Sequence, residues 1–186
     1  MNKLDKILIS GSGRSGTTFL MLIYIFLDQN TAFSKANYLN YIYESCNSGL
    51  ETGYNNNEAL INKNPEFMNK VLEIIKCEEI NVKYFIIPIR KFEECAKSRE
   101  KYSSGPGGFV YSSNYEEQLQ YFKDIYSNYL YMYVKYSIPT IFIDFDKMIS
   151  DPLYLYEKLL PTFQTSVSFE NFKIAYDRAT NEQRKK

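Results

Sequence analysis

At 186 residues the chain fits one domain over 1–186, and its 45% hydrophobic content excludes a disordered polymer. Its 22 basic and 22 acidic side chains cancel, so no global field gathers nucleic acid or an anionic membrane, and any anion site must be local. The complete absence of histidine removes the commonest general base and a common metal ligand.

Residues 6–10 form a short apolar run that ends in glycines, the pattern of a strand buried on both faces of a parallel sheet. From 17 to about 28 the chain is apolar nearly all round, which suits a central helix packed on that sheet. The apolar part of this stretch, 19–27, is well short of the roughly 20 residues that cross a bilayer. It follows a glycine-rich turn rather than a basic segment, so neither a membrane span nor a signal peptide is expected. Residues 31–62 are polar and read as short helices and loops. Pro65 at a helix start and the Phe67, Val71, Leu72, Ile75 spacing predict one helix to about 76.

Residues 82–89 read as a second buried strand, with Pro88 near its end because proline lacks a ladder N–H. A helix is expected over 92–102, and the Ser-Ser-Gly-Pro-Gly-Gly run at 103–108 breaks it. Tyr115, Leu119, Phe122, Tyr126, Tyr129 and Tyr133 recur at alternating steps of four and three, predicting a long amphipathic helix with a core-facing stripe. Residues 140–145 are a third strand. Asp146 is placed to cap a helix through Leu153, Tyr156 and Leu160. Phe169, Phe172 and Tyr176 mark a terminal helix. Strands alternating with helices predict a three-layer α/β fold with a mainly parallel central sheet flanked by helices. Cys46, Cys77 and Cys95 have no C-x-x-C spacing, so no zinc site or disulfide framework is indicated and a reduced, cytoplasmic setting is expected.

The chemistry concentrates where the first strand meets the first helix, at Gly11, Ser12, Gly13, Arg14, Ser15, Gly16, Thr17 and Thr18. Strand, glycine-rich turn and helix bring successive backbone N–H groups and a helix N-terminus onto one anion. Arg14 adds a fixed charge and the threonines add hydroxyl donors. The Walker A pattern requires lysine after Gly16, and this chain has Thr17, which argues against an ordinary ATPase or GTPase.

The segment instead resembles the donor loop of P-loop sulfotransferases, commonly written Pro-(Arg/Lys)-Ser-Gly-Thr-Thr, with Gly13 in place of the proline. The resemblance implies binding of 3′-phosphoadenosine 5′-phosphosulfate (PAPS) through Gly13, Arg14, Ser15, Gly16, Thr17 and Thr18. That family also carries an arginine at a strand end and a serine eight positions later that together grip the 3′-phosphate; Arg90 and Ser98 have this spacing. Lys63, in Asn62-Lys63-Asn64-Pro65, resembles the lysine of tyrosylprotein sulfotransferases that offsets charge on the bridging oxygen. Residues 142–152 resemble a stretch near the end of many sulfotransferases.

By resemblance the catalytic groups are then Lys63, Arg14 and a glutamate base, since the histidine used by cytosolic family members is absent. Glu44 is the preferred base over Glu51, Glu58 and Glu66. No metal is expected. The acceptor, a hydroxyl or amine on a small molecule, sugar or peptide, stays open, and nucleic acid is not an expected partner. Two other classes also stay open: a small nucleotide or metabolite kinase, and a non-catalytic PAPS- or nucleotide-binding protein.

Overall fold

A computed structural model describes residues 3–184 apart from Glu44, Asn47, Ser103, Ser104 and Pro106. Its centre is a four-stranded parallel sheet made from β1 (Leu4–Ile9), β4 (Ile61–Lys63), β5 (Ile80–Ile89) and β6 (Thr140–Asp144), in the order β4-β1-β5-β6. Strand alternation splits the apolar side chains between two cores. Ile7, Ile9, Ile61, Ile86 and Ile143 enter one core, with residues 19–26 of α1 (Thr17–Phe26) and with Phe172 and Tyr176 of α7 (Phe169–Arg184). Leu8, Phe85 and Ile87 enter the other, with Val71 and Ile74 of α2 (Val71–Lys76) and Ile125, Tyr126 and Tyr129 of α4 (Tyr115–Tyr136). Helices therefore cover both faces of the sheet, which is why its strands read as continuous apolar runs.

The strand order positions the site. From β1 the chain passes through α1 to β4 on one side, then crosses back to β5 on the other side of β1. The loops that leave β1 and β5 thus diverge toward opposite faces, opening a crevice at the carboxyl edge of the sheet where open α/β folds bind ligands. Pro88 fits here without disrupting the ladder. Ile86 O still accepts from Ser10 N at 3.0 Å, but two residues on β1 has given way to the glycine loop, so proline's missing N–H removes no bond to it.

Three expectations require correction. The polar stretch 31–62 contains β4 and a small antiparallel hairpin, β2 (Ile42–Tyr43) with β3 (Ser48–Gly49). β4 gives no apolar pattern because two of its three residues are Asn62 and Lys63, both buried with polar partners. The helix expected from Pro65 is divided into a 3₁₀ turn, Pro65–Met68, capped by Asn64, and the separate α2.

The segment after β6 is also two helices, α5 (Phe145–Ser150) and α6 (Pro152–Leu159), and Asp146 caps neither. Pro152 disfavours a helical residue before it, so Asp151 is extended (φ −128°) and the helix restarts. Asp144 accepts from Lys147 N at 3.0 Å, and Asp151 from Leu153 N and Tyr154 N at 3.0 Å each. α3 (Phe92–Glu100), α4 and α7 lie where helices were expected, α3 ending two residues before 102.

Because Asp151 satisfies two otherwise free N–H groups, Asp151→Ala should lower unfolding free energy by about 1 kcal/mol. Urea denaturation with an unchanged slope reads this directly. A loss indistinguishable from zero would mean the cap is solvent-replaceable.

Candidate functional site

The loop between β1 and α1 is anchored before it turns. Ser10 Oγ donates to Pro65 O at 3.0 Å and accepts from Met68 N at 3.1 Å, tying the end of β1 to the turn after β4. The backbone then passes through left-handed conformations at Gly13 (φ 68°), Arg14 (φ 59°) and Gly16 (φ 87°). The left-handed conformation favours glycine at 13, and a Cβ there would lie 2.1 Å from Arg99 Nη2, so any other residue would also displace that guanidinium. Gly16 is the N-cap of α1, with no side-chain cap and no acidic residue in the first turn. The first-turn N–H groups have no intrahelical acceptor and carry the positive end of the helix dipole. Ser15 is fully buried, its hydroxyl without a partner among the described residues.

In front of this loop lies a cleft of ≈ 560 Å³. Gly13, Arg14, Gly16, Thr17 and Thr18 line it from the loop, Lys63 from the end of β4 and Arg90 from the end of β5. The two anchors expected for different phosphates meet at one residue. Arg90 Nη1 donates to Arg14 O at 3.1 Å, and Arg14 Nε donates to Ser98 Oγ at 2.9 Å. Arg14 Nη1 also donates to Cys46 O, and its guanidinium lies 4.9 Å over the Tyr102 ring centroid. Arg90 is steadied by Glu94 at 3.0 Å and by Phe145, 4.6 Å below its guanidinium. Ser98 and Ser15 do not line the cleft; Ser98 is joined to it through its bond with Arg14.

Lys63 is 1% exposed. Its ammonium donates to Glu51 Oε1 at 2.6 Å, Gly49 O at 2.8 Å and Thr18 Oγ1 at 3.3 Å. Burial pushes its pKa below the ordinary lysine value, and the Glu51 carboxylate opposes that fall. Glu51 lines the cleft and keeps about a third of its side chain exposed, at 35%. Glu66 lines it too, accepting from Tyr111 OH and Asn69 Nδ2 at 3.1 Å each. Glu58 does not line it, and Glu44 lies outside the described residues.

The sequence reading missed Arg99. It lines the cleft yet is 6% exposed, and it falls on the helical face of Phe92, Cys95 and Ala96. A charged residue on the apolar stripe of a short helix is the signal that marks it. Among the described residues, no group of three or more Cys, Asp and Glu side chains could hold a metal ion, and no helix is long and apolar enough to cross a membrane. Comparison of the chain with protein-family models, curated proteins and solved structures returned no match.

The Lys63–Glu51 pair yields a pH prediction. With the folded-state pKa of Lys63 below its unfolded value, the unfolded chain binds more protons between the two, and stability rises with pH there. Glu51→Gln removes the group that holds the ammonium protonated, so that window should extend to lower pH. Near neutral pH the variant should lose roughly 1–3 kcal/mol, less than a fully buried pair because Glu51 is partly solvated. Denaturation of both proteins across neutral to alkaline pH tests this through their difference, which should shrink as pH rises. A difference independent of pH would exclude the coupling.

Proposed function

We propose that the cleft binds PAPS and that the protein, a three-layer P-loop domain, is a sulfotransferase that moves the sulfuryl group to a hydroxyl or amine acceptor. The observation that carries this reading is convergence. The glycine loop, Lys63 and Arg90, far apart in sequence and each matched by the resemblance to a donor contact, line one cleft, and Ser98 joins them through Arg14. The cleft brings together Arg14, Lys63, Arg90 and Arg99 against Glu51 and Glu66, so a neutral protein has a local excess of positive charge suited to a multiply charged nucleotide. Its volume is within the usual range for small-ligand sites, about 300–1,000 Å³.

Sulfuryl transfer, like phosphoryl transfer, depends on alignment and on neutralising charge at the leaving oxygen. The acceptor oxygen or nitrogen forms a bond to sulfur while the bond from sulfur to the bridging oxygen breaks. The electron pair stays on the 5′-phosphate of the product, 3′-phosphoadenosine 5′-phosphate (PAP). The first-turn N–H groups of α1, Arg14 and Lys63 face that growing charge. Of the described carboxylates, Glu51 and Glu66 line the cleft, and we assign the acceptor's proton to Glu51, which also holds Lys63; Glu44 lies outside the described residues.

One observation favours a second reading, a non-catalytic PAPS- or nucleotide-binding protein. The two groups with catalytic roles are bound to each other at 2.6 Å, so neither is free until a ligand competes for Lys63.

PAP should raise the melting temperature more than ADP or magnesium-ATP does; no response to PAP would remove the donor assignment. With labelled PAPS and an acceptor panel, Lys63→Met should cut turnover by roughly 100-fold or more while PAP affinity changes little, because its partner's charge grows only in the transition state. Loss of affinity alone would make Lys63 a donor-holding residue. Binding without turnover on any acceptor favours the non-catalytic reading.

A further inference from the structure

Arg99 carries a charge for which the described residues supply no counter-charge. Its Nη2 donates to Ser12 O at 3.0 Å and its Nη1 to Gly108 O at 2.5 Å, while Nε is buried with no partner among the described residues. No carboxylate lies within ion-pair distance among the described residues, and Glu66 acts on it only at longer range. Arg14 works in the opposite sense, disfavouring its charged form. The guanidinium lies against Gly13 at the crown of the donor loop, where a Cβ would come within 2.1 Å of Nη2, and it borders the cleft.

Burial of a cation is not by itself a sign of a ligand. Lys6 is as buried as Lys63, but it donates to Asn56 O and Ala59 O on the turn before β4 and does not line the cleft. Arg99 differs in three respects that point the same way. It borders a cleft, it stands beside a second arginine, and it retains a buried donor for which the described residues supply no acceptor. An arginine cannot shed its charge as a buried lysine can, so the cost of desolvating it remains until an anion is near.

We propose that Arg99 is a fourth cation of the anion site, outside the motifs of the sequence, whose charge is balanced when a phosphate or sulfate group occupies the loop. Its partners also make it the clasp between Ser12 of the loop and Gly108 of the segment beside it. The proposal rests on the cleft being an anion site and is independent of sulfuryl transfer.

The decisive experiment uses the wild-type protein, with nitrogen-edited NMR of arginine Nε–H groups and backbone amides during titration with inorganic sulfate, inorganic phosphate and PAP. The Arg99 Nε–H resonance should move with the same dissociation constant as the Thr17 and Thr18 amides. A response to inorganic ions assigns the group it senses to an anion on the loop; a response to PAP alone assigns it to the nucleotide. Movement of the amides with a static Arg99 would overturn the proposal and leave the anion site standing, whereas no movement with any of the three would overturn both.

In parallel, Arg99→Met should weaken PAP binding at least about tenfold, and Arg99→Lys, which keeps the charge, should weaken it less. A folded Arg99→Met protein with wild-type PAP affinity would also refute the proposal. Equal losses in the two variants would assign Arg99 to the clasp alone.

Discussion

The left-handed backbone at Arg14 is the constraint around which the carboxyl edge of the sheet is built. A residue with a Cβ takes φ 59° only at a cost of roughly 1–2 kcal/mol. The surrounding contacts hold it there. Arg90 holds its carbonyl, Ser98 and Cys46 hold its guanidinium, and Tyr102 lies beneath it. Holding Arg14 in this way joins the loop after β1 to the end of β5 and to the last turn of α3. The glycines on either side let the loop turn twice within four residues and bring α1 forward with no side-chain cap on its first turn. Strain at such a point persists only where neighbouring structure over-determines it, which is the usual condition of a ligand site.

Charge follows from that geometry. The molecule as a whole is neutral, yet the crevice edge gathers Arg14, Lys63, Arg90 and Arg99. Each is restrained differently: Lys63 by a carboxylate and two neutral oxygens, Arg90 by a partly exposed carboxylate, Arg14 and Arg99 by neutral oxygens and aromatic rings. Neutral acceptors satisfy N–H groups without cancelling charge, so the site keeps its positive potential for a ligand. The cost of keeping these cations close is met by the two apolar cores beneath them, one on each face of the sheet.

Much of this was legible in the sequence, for physical reasons that differ by residue. β1, β5 and β6 announced themselves because strands covered on both faces must be apolar throughout, and α4 because its tyrosine stripe faces one core. Arg90 and Ser98 were paired through the resemblance to sulfotransferases, and in the structure they are joined through Arg14. β4 was illegible because it is three residues long and two are polar, held in place by partners remote in sequence. The break at Asp151 was written in Pro152 and passed over in favour of the apolar spacing that runs through it. Arg99 was hidden by its own surroundings, because periodicity assigns a helical stripe to the core and says nothing of a cleft beyond the helix. Glu51 became the carboxylate of interest only once the hairpin of β2 and β3 carried the chain back over Lys63.

On the proposed reading this crevice takes a nucleotide bearing phosphates at both the 3′ and 5′ positions. A crystal structure of the protein with PAP tests it most directly. The 5′-phosphate should lie within hydrogen-bonding distance of the Thr17 and Thr18 N–H groups, and the 3′-phosphate against Arg90. PAP seated elsewhere, or with its 3′-phosphate in solvent away from Arg90, would contradict it.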